Sequence, residues 1–520
     1  MRGAISSPHA EATRAGAQAL RDGGNAIDAA LAAAAVLSVV YPHQTALGGD
    51  MFALVDDGTR VQAVNGSGRL PRAATLAAMT TTEGEVVDHG VHSATVPGVV
   101  AGWQSLMEMG AALDWPRLLA PAIRATEGTT VTASLAAAIA ERAAVLSHDP
   151  GMRELFLPGG SALPVGSVLA QPALGRSLRN LAAQGAEAFY RGQLGRDLVT
   201  GLQALGSPLQ MRDLESHATT LDTPLQLDYG QAQVLTSPPN SHGFVLLEAL
   251  AALQACGVAA DDPAETLAPA MLHALLLATA DREAFLADPE YARMPLAELF
   301  DPHNLRARMA RLRDRGVPAH AFDRHIPAHG DTVAVCAMDE QGRSVSLIQS
   351  VFQSFGAGVL EPATGIILHN RARGFSLRPG AANPPVPGMR PAHTLMPLLI
   401  RRHGRSQAAL GTMGGRAQPQ ILMQILAAGL RLEQALAPIL RAPRWVFGAR
   451  DVGLSEPGLM IEADASDDLE QHLHTAGLPM RRIPARSEVA GHTNAVRRHR
   501  DGRFEAATDP RSDGLAQVVD

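Results

Sequence analysis

The chain has 520 residues, 46% of them apolar, a formal net charge of −7 and only two cysteines. That is ample material for a buried core, and with no basic blocks a nucleic-acid or membrane-surface partner is not expected. Cys256 and Cys336 are too few for a disulfide framework and suit a reducing compartment, so a cytoplasmic protein is expected.

The first nine residues lack the apolar run of a signal peptide. Ser7-Pro8 followed by residues 9–22 reads as a capped helix ended by Gly23-Gly24, and residues 25–41 as a second helix. Its apolar part is alanine-rich, contains Asp28 and is shorter than the ~20 residues needed to span a bilayer, so a buried helix is expected. Leu47-Gly48-Gly49-Asp50 is a glycine turn before a short strand at 51–55, and 60–64 pairs as the next strand. The loop Asn65-Gly66-Ser67-Gly68-Arg69 delivers Arg69, either an ordinary surface arginine or a two-pronged grip for a carboxylate.

Residues 99–298 read as mostly helical. One loop, Ser237-Pro238-Pro239-Asn240-Ser241-His242-Gly243, lies between a strand-like 232–235 and a helix from Phe244. Residues 306–329 are charged and hold Gly316, Pro318 and Pro327, which predicts an exposed linker open to cleavage.

That linker leads into His329-Gly330-Asp331-Thr332. Residues 332–338 are β-branched and apolar and predict a buried strand; 340–343 supply a turn, and 344–350 alternate as the returning strand of a hairpin. A threonine heading a strand is ordinary. The alternative is that cleavage of the Asp331–Thr332 bond makes Thr332 a new N-terminus, with its hydroxyl as nucleophile and its α-amine, titrating near ~8, as base.

Beyond the hairpin, Phe355-Gly356-Ala357-Gly358 is a turn, and 365–368 a strand ending at His369-Asn370-Arg371. Residues 380–391 form a loop with four prolines and Arg390. A strand at 406–410 then runs into Gly411-Thr412-Met413-Gly414-Gly415, before a helix at 418–430. Consecutive glycines at a positive helix end suit an oxyanion, or are simply a tight turn. There is no Cys/His metal cluster and no GxGxxG, so no metal or other cofactor is expected.

Taken in order, Gly23-Gly24-Asn25-Ala26-Ile27-Asp28, Leu47-Gly48-Gly49, Pro238-Pro239, Thr332, Met413-Gly414-Gly415 and Asp509-Pro510-Arg511-Ser512 resemble the γ-glutamyltranspeptidase family of N-terminal nucleophile hydrolases. The resemblance implies a four-layered αββα sandwich of the α/β class, made as an inactive precursor that cuts itself before the threonine. Residues 1–331 would be the large subunit and 332–520 the small one, paired as a heterodimer in one domain. It implies catalytic roles for Thr332, for Ser350 (a hydroxyl beside the nucleophile) and for Gly414 and Gly415 (oxyanion donors), with Arg69 taking the substrate's carboxylate.

Where the family holds the substrate's α-ammonium with Gln and Asp, this chain has Arg371 and Gly374; Phe352 replaces an asparagine, and His393-Thr394 replace two serines. An ammonium would be unpaired there and face a like charge. The expected activity is therefore an amidase or acyltransferase for a small-molecule amide whose acyl group is anionic and lacks an amine, oxamate- or glutaryl-like. The alternatives are a true γ-glutamyltransferase (glutathione hydrolase) and an unprocessed binding scaffold.

Overall fold

The computed structural model describes residues 1–259, 262, 264–315, 331–429, 434–448, 458–474 and 477–520. Thirteen strands build two antiparallel sheets. In chain order they are β1 (Gly3–Ser7), β2 (Asp50–Asp56), β3 (Val61–Asn65), β4 (Thr220–Asp222), β5 (Leu225–Tyr229), β6 (Ala232–Thr236), β7 (Asp331–Asp339), β8 (Ser344–Phe352), β9 (Leu398–Arg402), β10 (Arg405–Thr412), β11 (Thr493–Arg498), β12 (Phe504–Thr508) and β13 (Leu515–Val519). One sheet runs β13-β1-β7-β8-β2-β3-β4 and the other β12-β11-β10-β9-β6-β5.

Alternation along the strands makes the layers. In β7, Val333, Val335 and Ala337 join the core under the first helices, α1 (Ala10–Arg21) and α2 (Ala26–Val40). Cys336 and Met338 face the other way, into a core between the sheets shared with Leu235, Leu399, Ala409 and Val496. On the far side Val234, Leu398, Ile400, Leu410 and Ala495 pack on α3 (Gly243–Ala255), α4 (Ala264–Phe285), α5 (Pro302–Arg315) and α6 (Gln418–Gly429). A strand buried on both faces must be apolar at nearly every position, which is how β7 reads. The result is the αββα sandwich expected.

The motif around Asn25 has a mechanical role. Asn25 and Asp28 form a reciprocal cap on α2, and Asp28 also accepts the N–H groups of Ala112 and Leu113 at 2.9 and 2.8 Å. The cap lets an alanine-rich helix be buried on every side, tight against β7. Among the described residues no helix is long and apolar enough to cross a membrane.

Some expectations need correcting. Ser7 ends strand β1, which the sequence reading missed, and His9 rather than Ser7-Pro8 caps α1 by accepting the Glu11 N–H at 3.3 Å. The first part of the expected linker is the helix α5, and residues 316–330 lie outside the described residues. β4, β5 and the last three strands were likewise not foreseen; all of these but the buried β11 are short and half-exposed and carry little periodic signal.

Candidate active site

Thr332 is the second residue of β7 and is buried. Opposite it, the pairing of β8 shifts between Gln349 and Phe352, and Phe352 sits at φ +80°. This bulge accompanies a contact between Ser350 and Thr332. Thr332 Oγ donates to Ser350 Oγ at 3.2 Å, the Phe352 N–H donates to the same oxygen at 2.7 Å, and Ser350 Oγ donates to the carbonyl oxygen of Asp331. Threonine hydroxyl, serine hydroxyl and the carbonyl of the Asp331–Thr332 peptide thus form one hydrogen-bonded chain. Burial pushes the Asp331 carboxyl up to about 7; Arg142 and a Ser354 hydrogen bond pull it down, while Glu488 and Glu141 push it further up.

The glycine turn is set by how closely β10 crosses β7 and β8. A Cβ on Gly411 would lie 2.9 Å from the Ala334 Cβ and 2.6 Å from the Ile348 Cδ1. Ser346 Oγ ties the sheets at the next level, donating to Leu410 O at 2.6 Å. Continuing β10 past Thr412 therefore carries Gly414 and Gly415 toward the end of the sheets where β7 begins. Gly414 and Gly415 take φ +147° and +52°. The turn's hydrogen bonds from Met413 N–H to His492 O and from Ala417 N–H to Gly414 O use neither glycine's N–H. With the N-terminus of α6 directly behind, the turn can serve an oxyanion.

A cavity of ≈ 480 Å³ is walled in part by Phe352, Arg371, His393, Thr394, His242 and Arg416; it meets the hairpin at Phe352, while Thr332, Ser350, Gly414 and Gly415 are not in its wall. Arg371 is only 1% exposed. Its guanidinium carbon sits 3.9 Å from the centre of the Phe352 ring, and Nη1 donates to Thr394 Oγ1 at 3.3 Å. Nε and Nη2 have no hydrogen-bond partner among the described residues. Burial lowers its pKa to about 9, and the charge of Asp50 opposes this. A buried cation with donors to spare on a cavity wall has the chemistry to receive an anion. Elsewhere on the wall the cations are matched: Glu283 bridges Arg282 at 2.6 Å and Arg416 at 3.1 Å.

The structure distributes the other expected residues unevenly. His393, Thr394 and Gly374 share the cavity wall with Arg371. Arg69 is outside the wall: it donates to Gly388 O at 2.9 Å and pairs with Asp288 at 3.4 Å and with Glu290. Gly374 is a packing glycine, because a Cβ there would lie 2.6 Å from Ala392 O and 3.0 Å from the Pro391 Cβ. The Pro238-Pro239 loop braces this wall, with His393 N–H donating to Asn240 O at 2.8 Å and His242 N–H to His393 O at 2.9 Å. Asp509 and Arg511 form a buried ionic cluster with Arg444 and Glu462, a tie between loops rather than part of the site.

Asp50 is the residue sequence reasoning passed over, reading it as part of a glycine turn. It starts β2, sits opposite Ser350 in the sheet, and accepts His393 Nε2–H at 3.1 Å and Gly68 N–H at 3.1 Å, with His369 Nε2 at 3.6 Å. Burial pushes its carboxyl up to about 7 against the pull of Arg371, the Gly68 N–H and Arg390. Among the described residues no group of three or more His, Cys, Asp or Glu could hold a metal ion.

Comparison with known proteins places the chain in a family. The family model for gamma-glutamyltranspeptidase matches residues 12–519. The oxamate amidohydrolase proenzyme of Klebsiella pneumoniae is 36% identical over 98% of this chain and 97% of its own. The acylase ACY 1 proenzyme of Pseudomonas sp. strain V22 is 31% identical over 100% and 94%. Among solved structures, cephalosporin acylase from Bacillus halodurans superposes with a TM-score of 0.88 at 30% identity, over 99% of this chain and 95% of that one.

Proposed function

The chain belongs to the γ-glutamyltranspeptidase family as a self-processing amidohydrolase/acyltransferase, and on that premise we propose that it cleaves amides whose acyl group carries a carboxylate and no α-amine. The observation that carries this reading is Arg371, buried on the cavity wall with two of its nitrogens unpartnered among the described residues. Such a group gains strongly from a carboxylate and would repel an ammonium. The names of the relatives, an oxamate amidohydrolase and acylases, point the same way.

In this reading Thr332 Oγ first attacks the carbonyl carbon of Asp331. Its proton passes to Ser350 as the Ser350 proton passes to the Asp331 carbonyl oxygen, along the hydrogen bonds already formed. Collapse of the adduct breaks the C–N bond, frees the Thr332 amine and leaves an ester that water opens. Residues 1–331 and 332–520 then stay together as large and small subunits. In turnover the Thr332 amine takes the hydroxyl proton, Thr332 Oγ attacks the substrate amide and the N–H groups of Gly414 and Gly415 hold the oxyanion. The amine protonates the leaving group, and water or an acceptor amine releases the acyl group. Cys256 and Cys336 are free thiols, in keeping with a cytoplasmic setting.

The test compares glutaryl-p-nitroanilide with γ-glutamyl-p-nitroanilide, which differ by one amine. The glutaryl compound is expected to have the higher kcat/KM by at least about tenfold, the equivalent of ~1.4 kcal/mol. A higher value for the γ-glutamyl compound overturns the reading in favour of a glutathione hydrolase.

A further inference from the structure

Asp50 belongs to neither reacting group, yet three pieces of the structure converge on it: His393, which lines the cavity, His369, two residues before the cavity-lining Arg371, and the loop at Gly68. His393 and His369 use their rings in the same way. Each accepts, at Nδ1, the backbone N–H two residues on, that of Leu395 at 3.2 Å and that of Arg371 at 3.2 Å. That leaves His393 Nε2 hydrogen-bonded to Asp50 at 3.1 Å, while His369 Nε2 lies between Thr95 Oγ1 at 3.4 Å and Asp50 at 3.6 Å. The third piece, the loop at Gly68, donates its N–H to Asp50 Oδ1. The two histidine arms thereby fix the backbones that carry Thr394 and Arg371, while the strand pairing Ser350↔Asp50 locks the carboxylate to the nucleophile's partner. Asp50 also lies near enough to Arg371 to influence its charge, without a contact inside the 4.0 Å of an ion pair.

We propose that Asp50 is the positioning residue of the anion pocket: it fixes Arg371 and Thr394 through its two histidines, and its own charge sets how strongly Arg371 attracts the acyl carboxylate. This rests on the reading of Arg371 as carboxylate receptor. With Asp50 neutral, Arg371 acts on the incoming anion alone; with Asp50 ionised, part of that field is cancelled and the bound anion faces a second negative charge.

The charged and titratable groups facing Asp50 are Arg371, Arg390, His369, His393 and Tyr190. Burial first, and then Arg371, holds His369 near 3 and His393 well below its ordinary value, and burial raises Tyr190, so these three stay neutral around pH 7. The arginines stay cationic. Asp50, raised to about 7, is the member whose charge changes near neutrality. An anion at Arg371 raises it further, and by linkage the ionised form of Asp50 weakens the anion's binding.

The experiment measures the competitive Ki of glutarate from pH 6 to 7.5, expressed per dianion, since both of its carboxyls titrate below this range. This window lies below the ~8 of the Thr332 amine. In wild type Ki is expected to rise about threefold across it, as a one-unit rise of the Asp50 pKa on binding dictates. In Asp50→Asn, whose fold is checked by completed self-cleavage and thermal midpoint, the rise disappears. His393→Asn removes the donor to Asp50 Oδ2, and there the inflection moves to higher pH. It serves as the second variant if Asp50→Asn does not fold. A flat wild-type Ki, or a rise that persists unchanged in Asp50→Asn, overturns the proposal. Glutarate that fails to inhibit at any pH defeats the carboxylate reading of Arg371 itself, and this proposal with it.

Discussion

Ser350 touches both ends of the chemistry that would split this chain: its oxygen accepts from Thr332 Oγ at 3.2 Å and its hydrogen goes to the carbonyl oxygen of Asp331. An isolated serine–threonine contact would be unremarkable in a hairpin. The added bond to the carbonyl polarises the group that Thr332 must attack and supplies a route for the proton.

Ser350→Ala should therefore slow self-cleavage by about 10²-fold, the usual effect of losing one donor to a developing oxyanion. Ser350→Thr should restore much of the rate, and Thr332→Ala should stay full length and inactive. Denaturing gels and intact mass over days of incubation follow this directly. If Ser350→Ala matures as quickly as wild type, the hydrogen-bonded chain is not the processing route.

At the glycine turn, Gly415→Ala should lower kcat by about 10²–10³. With Gly415 at φ +52°, a side chain there adds a strain of about 1–2 kcal/mol that twists the N–H groups away from the oxyanion. Reading kcat beside the thermal midpoint separates the two effects. An unaltered kcat in a folded variant would reduce Gly414 and Gly415 to an ordinary turn.

Arg371→Gln should cost about 10²–10³ in kcat/KM on the glutaryl anilide, the loss expected from a desolvated charge pair, mostly through KM. On the γ-glutamyl anilide the same change should cost much less. Simple reversion of Gly374 to aspartate is a poor companion variant, since the Ala392 carbonyl already occupies the space. Equal losses on both substrates would place the specificity elsewhere.

The buried carboxyl of Asp331 gives a prediction about stability. It releases its proton near 3.8 in the unfolded chain but near 7 in the folded one, so over that interval the unfolded chain binds fewer protons and stability falls as pH rises. In a Thr332→Ala background, Asp331→Asn removes this loss. Its thermal midpoint should gain on the parent progressively from pH 4 to pH 7 and then hold a constant lead. Parallel midpoints at all pH values would mean that Asp331 is well solvated.

The hairpin at 331–350 was legible because a strand buried on both faces has to be apolar throughout, and the helix at 26–40 because only a buried helix is written so densely in alanine. Thr332 and the glycine turn were legible as junctions between elements. For Arg69 the loop was legible but not its partners: Asp288 and Glu290 lie more than two hundred residues away in the chain. Asp50 was hidden for the same reason. Its significance comes from His369, His393 and Gly68, which only the folded chain brings together. Local spacing carries no information about such a cluster.

The order of the first sheet has a topological consequence. β7 and β8 are flanked by β1 and β2, while β13 closes the far side of β1, with Gly3 opposite Val519. The two ends of the chain therefore already lie side by side, and the Asp331–Thr332 junction is the natural place for an opening. Joining residue 520 to residue 1 through a short linker and starting translation at a methionine before Thr332 would give a circular permutant with every strand in its present place. Host removal of that methionine would then expose the Thr332 amine without any self-cleavage, uncoupling maturation from catalysis in a single continuous polypeptide.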